Sequence, residues 1–319
     1  MTQTQKILTQ KFSVLNFKLD YPLARQSYFK IGGPAEIYLE TADKQAVQAL
    51  TKFCREQEIK LTVLGGASNV IVADEGIRGL VIKLTNDQVS SPRFHIPHST
   101  FTAGAGTRMS SLVRSSVDAG LTGLEKFLGV PGSLGGAIYN NAHYLSDLIG
   151  EHVNRVEVIQ STGESVWLNQ AECKFAYDSS RFQKTKEIIW QVEFKLATGN
   201  QDESAQLIKQ AQEYRVKTQP LGLPSSGCIF QNVPNNKNLK KLFPQFSEKD
   251  FVSAGFLIDQ AGLKGEKVGD LEVSQIHAAF IVNHGAGTAK QVKELINLIK
   301  TKVKEKFAVQ LHEEVFLIS

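Results

Sequence analysis

The stretch LGGASNVIV at residues 64–72, followed later in the chain by GVPGSLGGAIYNN at residues 129–141, decides how this sequence folds. Gly65 and Gly66 in the first stretch have no Cβ, so the backbone can turn with a positive φ and direct successive N–H groups at one anion. Serine and asparagine follow the glycines in both stretches. This pattern predicts that the backbone passes very close to something large and charged.

The second stretch repeats the chemistry of the first, and a GAG turn at residues 104–106 lies between them. Three such loops suit a long cofactor that carries phosphates. The predicted cofactor-binding residues are Gly65, Gly66, Ala67, Ser68, Asn69, Pro131, Gly132, Ser133, Gly135 and Gly136. Taken singly, such clusters more often mark plain turns. Neither loop is a Walker P-loop or a GxGxxG fingerprint, so the usual nicotinamide-binding fold is not indicated.

The composition is typical of a globular protein of two or three domains, with 319 residues of which 42% are hydrophobic and 21% charged. The formal charge of +4 is small for this length, so we expect phosphate-bearing ligands and no nucleic acid. The opening MTQTQKILTQKFSV has no signal-peptide core, and no run approaches the roughly 20 apolar residues of a membrane span. We therefore expect a cytoplasmic protein with no membrane partner.

The three cysteines, Cys54, Cys173 and Cys228, are far apart in the sequence and lack CxxC spacing. They therefore predict neither a disulfide framework nor a zinc site, and we expect no bound metal. Reduced thiols are consistent with the same cytoplasmic compartment.

Apolar periodicity predicts an α+β protein. The first part alternates strands near 35–39, 60–64, 80–84 and 100–103 with helices near 44–57 and 108–119. A hairpin at 155–168 and a long strand at 187–197 then predict antiparallel sheet. After the polar segment TGNQDE, where we place the domain boundary, we expect helices at 203–217 and 289–307 and strands near 228–232, 278–283 and 309–318.

Six blocks of this sequence, in this order, closely resemble the UDP-N-acetylenolpyruvoylglucosamine reductase family, the flavoenzymes of peptidoglycan precursor synthesis. The blocks are FKIGGPAEIYLE (29–40), LGGASNVIV (64–72), GLEKFLGVPGSLGGAIYNNA (123–142), PSSGCIFQN (224–232), AGFLIDQAGLKG (254–265) and HAAFIVN (277–283). The resemblance extends from about residue 29 to residue 315, which is nearly the whole chain.

The resemblance implies a two-lobed FAD-binding domain of the vanillyl-alcohol-oxidase type and a C-terminal α+β substrate-binding domain. We expect the first at residues 1–200, with lobes at about 1–85 and 86–200, and the second at 201–319. Non-covalent FAD, NADPH as hydride donor and a UDP-sugar substrate are implied as well. Reducing the enolpyruvyl ether of that substrate requires a hydride, a group that stabilises the resulting enolate, and a positioned acid.

The predicted acid is Cys228, which follows Ser225, Ser226 and Gly227 and precedes an apolar strand. The matching position in the family usually holds the serine that donates a proton to the enolate. A thiol, with a reference pKa of about 8.5, is a far stronger acid than an alcohol, so the exchange keeps this role chemically possible. A small buried cysteine at the start of a strand is the structural alternative.

The resemblance also matches Glu314, in LHEEVFLIS, to the glutamate that stabilises or protonates the enol intermediate. A solvent-facing strand residue is the structural alternative. Glu313 takes its place if the alignment slips by one position, because neighbouring strand residues face opposite ways.

The arginine of the family has no direct match in this chain. Family members commonly carry Tyr-Arg-x-Ser-x-Phe, whose arginine pairs with the substrate carboxylate and with developing negative charge. Here the sequence is YDSSRF, with Asp178 at the arginine position and Arg181 three residues later. We take Arg181 as the catalytic candidate. A surface ion pair is the alternative, because an offset of three on an extended segment reverses the side-chain direction.

Asn232 matches an asparagine that contacts the substrate, and Arg215 and Lys217 are basic candidates for binding diphosphate or cofactor. An exposed lysine on a helix end is the simpler interpretation of Lys217. His143 is a second departure, since the family usually has a glycine at this point beside the predicted flavin loop. Some related flavoproteins attach FAD to histidine, but the reductase family binds it non-covalently, and we expect the same here.

Two other functions remain open at this point. An oxidase or dehydrogenase of the same flavin fold would act on an alcohol or hydroxy acid, although the PSSGCIFQN and AGLKG blocks resemble the reductase. The second alternative is a nucleotide-binding protein without catalysis. Asp178, at the position where the family carries its arginine, favours this alternative.

Overall fold

The computed structural model describes residues 1–90 and 99–319. Within them the α-helices are α1 (Gln3–Lys11), α2 (Lys44–Glu56), α3 (Met109–Asp118), α4 (Leu134–Asn140), α5 (Phe182–Thr185), α6 (Gln201–Thr218), α7 (Lys237–Leu242), α8 (Ala254–Gln260) and α9 (Ala289–Phe307). No helix among these residues is long and apolar enough to cross a membrane.

The β-strands of the described residues are mostly short and mostly antiparallel. They are β1 (Lys18–Pro22), β2 (Pro34–Thr41), β3 (Leu61–Leu64), β4 (Val70–Val72), β5 (Ile77–Leu84), β6 (Ser99–Gly104), β7 (Leu121–Thr122), β8 (His143–Tyr144), β9 (Asp147–Leu148), β10 (Val153–Ile159), β11 (Ser165–Asn169), β12 (Ile188–Thr198), β13 (Ser225–Cys228), β14 (Val233–Pro234), β15 (Phe251–Val252), β16 (Lys267–Val268), β17 (Leu271–Val273), β18 (Phe280–Asn283) and β19 (Phe316–Ile318). The mixture of helix and antiparallel sheet confirms the predicted α+β class.

The chain folds into two compact units. Unit 1 comprises Met1–Tyr21, Ala35–Gly66 and Arg78–Arg215, and unit 2 comprises Pro22–Pro34, Ala67–Ile77 and Val216–Ser319. The predicted boundary near residue 200 differs from this division, which falls after Arg215. Two early segments, Pro22–Pro34 and Ala67–Ile77, also belong to the C-terminal unit, because of their buried side chains and their hydrogen bonds.

Unit 1 contains two sheets that enclose one apolar core. The first has the order β1-β2-β5-β3, with β3 parallel to β5. The second has the order β11-β10-β12-β6 and is antiparallel, with β7 paired to the end of β12. Leu50, Phe101, Phe127 and Phe194 are fully or almost fully buried in this core. The hairpin and the long strand predicted between residues 155 and 197 are confirmed.

Helix α2 begins where the sequence predicts, because Asp43 accepts hydrogen bonds from the N–H groups of Gln45 and Ala46 at 2.9 and 3.2 Å. Helix α4 is short, and it ends at Asn141, whose φ of 51° is left-handed. The Asn141 side chain accepts from the N–H of Gly150 and donates to the carbonyl of Ala176, both at 2.8 Å. These bonds fix the position of the chain that leaves α4.

Unit 2 is built on the antiparallel sheet β13-β18-β17-β16. Helix α9 has the bounds predicted from its apolar stripe, and Leu295, Ile299 and Val303 on that stripe are buried in the core of this unit. Phe29 and Ile71, from the two early segments, are buried in the same core. Their side chains therefore help to explain why these segments fold with unit 2.

Backbone pairing gives the second reason. Strand β4 pairs in parallel with β19, in the register Val70↔Phe316. Asp74 accepts hydrogen bonds from the N–H groups of Ala289 and Lys290 at the start of α9, at 2.7 and 2.9 Å. Residues 67–77 thus complete a strand pair and a helix end that belong to unit 2.

Two predicted strands, near 228–232 and 309–318, are only partly formed. A left-handed φ of 81° at Gly227 accompanies a shift in the pairing of β13 with β18, and β13 ends at Cys228. The chain then runs beside residues 312–314 through isolated hydrogen bonds and a single bridge between Phe230 and Glu313. The alternating apolar residues at 309–315 reflect core burial, and a regular ladder forms only in β19.

We expect Asp74→Ala to lower the free energy of unfolding by about 1 kcal/mol, because two N–H groups of the first turn of α9 lose their acceptor. Chemical denaturation measures this change. Glu75→Ala is the matched control, since Glu75 is an exposed neighbour, and it should change stability by less than about 0.5 kcal/mol. Equal effects of the two substitutions would show that the contact to α9 contributes nothing.

Candidate cofactor and active site

The two glycine-rich segments pack against each other within unit 1. A Cβ added to Gly66 would lie 2.4 Å from the Cα of Gly132, and one added to Gly65 would lie 2.4 Å from Oγ of Ser133. The N–H of Gly66 also donates to this Oγ at 3.2 Å. Since no Cβ can be this close to another atom, the contact between the loops itself requires both glycines.

The second segment leads into α4, and its first N–H groups are bound to the chain at the GAG turn. Leu134 donates to the carbonyl of Thr107 and Gly135 to that of Ala105, both at 2.8 Å. These two N–H groups are therefore already used. At Gly136, by contrast, the nearest atom that an added Cβ would meet among the described residues is Oγ of Ser133, at 3.8 Å. A methyl group at Gly136 would therefore make only an ordinary van der Waals contact.

Two buried polar atoms in the same region have no hydrogen-bond partner among the described residues. They are Oγ1 of Thr107, directly after the GAG turn, and Oδ1 of Asn140, the last residue of α4. Such atoms cost about 1–3 kcal/mol unless a ligand or water satisfies them. Sequence reasoning proposed neither residue for the site, although Thr107 directly follows the GAG turn and Asn140 lies within the second glycine-rich stretch.

The rest of the first segment belongs to unit 2. Ala67 is buried with a left-handed φ of 51°, and its carbonyl accepts from the N–H of Tyr28 at 3.1 Å. Ser68 is half-buried. The Asn69 side chain donates to the carbonyl of Glu314 at 3.3 Å, and the Asn69 carbonyl accepts from the N–H of Phe316 at 3.1 Å. Asn69 therefore anchors the segment that carries Glu314.

The predicted catalytic residues Cys228 and Glu314 lie on neighbouring segments of unit 2. Cys228 ends β13 opposite Phe280 of β18. The carbonyl of the next residue, Ile229, accepts the N–H of Glu314 at 2.8 Å. Both Cys228 and Glu314 are partly exposed. A thiol and a carboxylate are thus held on adjoining backbones.

The two neighbouring glutamates differ in their partners. Glu313 forms an ion pair with Lys300 of α9, with Nζ at 2.9 and 3.1 Å from its carboxylate oxygens. Glu313 also forms the backbone bridge to Phe230. This arrangement gives Glu313 a structural role.

The three cysteines differ in their exposure. Cys54 and Cys173 are buried, and burial raises the pKa of each thiol to about 12. Cys228 is partly exposed. Because thiol chemistry requires access, Cys228 is better placed to react with a ligand or reagent than the two buried cysteines.

The three predicted substrate-binding residues lie in different surroundings. Oδ1 of Asn232 accepts from the N–H of Ala254 at 3.3 Å, at the start of α8. Lys217 is exposed near the end of α6. Arg215 is buried, and a Cβ added to Gly129 would lie 2.3 Å from its Cδ. The structure therefore brings Arg215 to the start of the second glycine segment, and the substrate roles of all three stay predictions.

Arg181 is engaged in an ion pair within unit 1. Its Nε and Nη2 donate to the two carboxylate oxygens of Glu187 at 3.0 and 3.1 Å, and its Nη1 donates to the carbonyl of Glu172 at 3.3 Å. This two-point geometry is the ion-pair alternative that the sequence left open. The ion pair occupies the guanidinium N–H groups that would otherwise bind a substrate carboxylate at two points.

The two departures from the family pattern meet in the structure. Nδ1 of His143 lies 3.2 Å from Oδ1 of Asp178, and Asp178 is buried. The two residues come from different segments, so sequence reasoning noted each departure without connecting them. His277, by contrast, accepts the N–H of Ala279 at 3.2 Å, and burial lowers its pKa, as expected of a structural histidine.

Metal ligation is not indicated by the geometry. Across residues 1–90 and 99–319, no group of three or more histidine, cysteine, aspartate or glutamate side chains is placed to hold a metal ion.

Two family models match the chain. The one described as "FAD binding domain" matches residues 35–169, and the one described as "UDP-N-acetylenolpyruvoylglucosamine reductase, C-terminal domain" matches residues 219–318. These matches confirm the predicted fold class, in which an FAD-binding domain precedes a C-terminal reductase domain.

Similar proteins span the whole chain. The UDP-N-acetylenolpyruvoylglucosamine reductase of Staphylococcus carnosus is 34% identical over 318 residues, which cover 100% of this chain and 96% of the relative. That of Heliobacterium modesticaldum is 37% identical over 93% of this chain and 89% of the relative. The crystal structure of the reductase from Thermus caldophilus has a TM-score of 0.75 and 30% identity, covering 96% of this chain and 99% of that chain.

We expect Arg181→Ala to lower the free energy of unfolding by about 1–2 kcal/mol, between the values for exposed and buried ion pairs, because Glu187 loses its two-point partner. Denaturant unfolding measures this change, and Lys184→Ala is the control, since Lys184 is exposed on α5. A variant of unchanged stability whose bound substrate turns over more than about tenfold slower would instead establish Arg181 as the catalytic arginine.

Proposed function

The chain belongs to the UDP-N-acetylenolpyruvoylglucosamine reductase family, and on that premise we propose that it uses NADPH to reduce UDP-N-acetylenolpyruvoylglucosamine to UDP-N-acetylmuramate in peptidoglycan precursor synthesis. As a member of this family the chain is an oxidoreductase. The observation that supports the proposal is the hydrogen bond from the N–H of Glu314 to the carbonyl of Ile229, which joins the backbone segments that carry the predicted acid, Cys228, and the predicted enolate-stabilising residue, Glu314.

The residues around α4 fit a non-covalently bound FAD. An added methyl group has room at Gly136, and buried oxygen atoms of Thr107 and Asn140 have no partner among the described residues; a large polar cofactor would fit these features. FAD, when bound, supplies the hydride for the reaction. We propose that residues 65–69 and 131–136 line its diphosphate. The N–H groups of Leu134 and Gly135 are excluded from that role, because they bind carbonyl groups of the chain.

Cys228 is proposed as the acid that protonates the substrate carbon next to the carboxylate. Its place at a pairing shift, after Gly227 with φ of 81°, takes it out of the regular ladder and leaves it partly exposed. A positioned acid of this kind typically contributes about 10²–10⁴-fold to a rate. A thiol can fill this role because its proton leaves more easily than that of a serine hydroxyl.

Glu314 is proposed to stabilise the enol form of the substrate while the proton is transferred. Its backbone is held on one side by Ile229 and on the other by Asn69, at 2.8 and 3.3 Å. These two bonds limit the movement of the backbone that carries the carboxylate. A preorganised group that meets charge as it develops accelerates a reaction because it needs no rearrangement at that moment.

Asn232, Arg215 and Lys217 are proposed to bind the UDP-sugar, with the two basic residues serving its diphosphate. We place the reaction in the cytoplasm. The three free cysteines support this location, because thiols persist in a reducing compartment.

Gly136→Ala tests the placement of FAD. In the free protein the added methyl group has room, and alanine favours a helix over glycine by about 1 kcal/mol. If FAD lies against α4, the same methyl group should weaken FAD binding by about 1–3 kcal/mol, or roughly ten- to hundredfold, while stability without FAD is kept. Flavin fluorescence titration of the cofactor-free protein measures the affinity.

Ser111→Ala is the control for this substitution, because Ser111 is an exposed small residue on α3. It should leave FAD affinity unchanged. A Gly136→Ala variant that binds FAD as tightly as the wild type would overturn the placement of FAD beside α4.

Cys228→Ala and Glu314→Gln test the proposed chemistry. Both variants should accept electrons from NADPH at nearly the wild-type rate, because protonation and enolate stabilisation occur only afterwards. Both should slow the reoxidation of bound flavin by the enolpyruvyl substrate by roughly 10²-fold or more. Anaerobic stopped-flow absorbance follows the two half-reactions separately.

Two conservative variants serve as controls. Cys228→Ser should retain substantial activity, since a hydroxyl of similar size can still deliver a proton. Glu313→Gln should weaken the ion pair with Lys300 and leave both half-reactions intact. If Glu313→Gln slows reoxidation as much as Glu314→Gln, the assignment of the two glutamates is wrong; if Cys228→Ala reoxidises at the wild-type rate, Cys228 is a packing residue.

A further inference from the structure

Glu125 is a buried carboxylate of unit 1 that the proposed reaction does not use. Only 2% of the residue is exposed. Its Oε1 accepts the hydroxyl of Ser204 at 2.6 Å, and its Oε2 accepts the N–H of Gly123 at 2.7 Å. Burial alone would raise the pKa of this carboxyl, but hydrogen bonds from Ser204, Thr122 and Gly123 outweigh it, so the pKa lies below its usual value. Glu125 is therefore an ionised acceptor held at both oxygens.

This contact joins helix α6 to the turn that opens the second glycine segment. Glu125 begins that turn, a 3₁₀-helix at Glu125–Gly129, and Ser204 lies in the first turn of α6. Ser204 is also 2% exposed, so the hydrogen bond is shielded from water. Because neither partner can exchange the other for water without cost, the bond fixes the start of α6 against the turn.

Arg215, on the same helix, lies at the other end of the same turn. It is 9% exposed, and a Cβ added to Gly129 would lie 2.3 Å from its Cδ and 2.5 Å from its Nε. Its guanidinium lies over the ring of Tyr144, 5.6 Å from the ring centroid. Helix α6 thus meets both ends of one five-residue turn, with Ser204 at the first residue and Arg215 at the last.

The helix is a rigid connection between these two points. About three helical turns separate Ser204 from Arg215. A shift or rotation of the start of α6 therefore moves the guanidinium of Arg215 relative to Gly129. The position of this positive charge depends in this way on the hydrogen bond between Ser204 and Glu125.

A diphosphate at the second glycine segment requires such a charge. The N–H groups of Leu134 and Gly135, at the start of α4, already bind carbonyl groups of the chain. They cannot neutralise a phosphate at the same time. A guanidinium offers several N–H donors in a planar array that matches phosphate oxygens, and it is always charged. Arg215 is a buried guanidinium placed at the first residue of this segment.

We propose that Glu125, through Ser204, positions Arg215 to bind the diphosphate of a ligand at the second glycine segment. This inference rests on the proposed function, which supplies two such ligands, FAD and the UDP-sugar. Arg215 is then the residue that contacts the phosphate oxygens. Glu125 and Ser204 are positioning residues that act through it.

Ligand titrations of the full chain test the positioning, with FAD added to the cofactor-free protein and UDP added to the FAD-loaded protein. Arg215→Gln should weaken the binding of FAD or of UDP by roughly ten- to hundredfold, because a charge-assisted contact is lost. Ser204→Ala should weaken the same ligand by about five- to tenfold, because the start of α6 is released. In the Arg215→Gln background, Ser204→Ala should change that affinity by less than about twofold.

Flavin fluorescence measures the affinity for FAD, and calorimetry measures that for UDP, so the affected ligand identifies the source of the diphosphate. A purely structural role for Ser204 would lower stability in denaturation without this dependence on Arg215. Gly129→Ala is a second probe, since its methyl group would displace the Arg215 side chain without removing the charge. It should weaken the same ligand as Ser204→Ala.

Ser116→Ala is the matched control, because Ser116 is a buried serine of α3 whose hydroxyl donates to the carbonyl of Val113 at 2.8 Å. It should leave both affinities unchanged. If Ser204→Ala does not fold, Glu125→Gln, which keeps the shape of the side chain without its charge, takes its place in the comparison of single and double variants.

The outcomes separate this inference from the proposed function. A wild-type protein that binds neither FAD nor UDP overturns both. A wild type that binds them while Arg215→Gln or Ser204→Ala keeps full affinity for each overturns the inference alone. Equal weakening by Ser204→Ala with and without Arg215 also overturns it, because the serine would then act by a route that does not involve the guanidinium.

Discussion

The contact between Gly66 and Gly132 sets the position of every other group in the cofactor-binding part of unit 1. Two backbones meet there with no side chain between them, so the end of β3 and the start of α4 can take only one relative position. Helix α4 lies against β12 and β6 of the second sheet. A steric constraint on two glycines therefore links both sheets of the unit to one short helix.

The chemistry follows from how that helix ends. A left-handed asparagine at 141 stops α4, and the bonds of its side chain bring a distant segment alongside. That junction brings Nδ1 of His143 to 3.2 Å from Oδ1 of Asp178, while Arg181 is paired with Glu187. The two residues of this contact lie on separate segments, and neither segment specifies the contact alone.

Local patterns predicted most of the fold. Apolar periodicity and caps gave α2, α9 and the antiparallel strands β10 to β12, because these features depend on residues close together in sequence. The functional site was harder to predict from the sequence. Sequence proposed the glycine segments, Cys228 and Glu314 as site residues, and these assignments stay predictions. It also assigned Gly135 to a ligand, and the structure shows that the N–H of Gly135 donates to the carbonyl of Ala105. The partner of a backbone N–H group depends on residues that are distant in the sequence. The membership of residues 22–34 and 67–77 in unit 2 depends on distant residues in the same way.

The pairing of Asn69 with Glu314 spans a sequence separation of 245 residues. During synthesis from the N-terminus, residues 67–77 leave the ribosome long before β19 and α9 exist, so their hydrogen-bonding groups and the side chain of Ile71 must wait for the last part of the chain. Unit 2 therefore cannot be completed before β19 has been synthesised, and its completion requires the closure of a long loop. Shortening the chain by its final strand would leave β4, near the start, without its pairing partner.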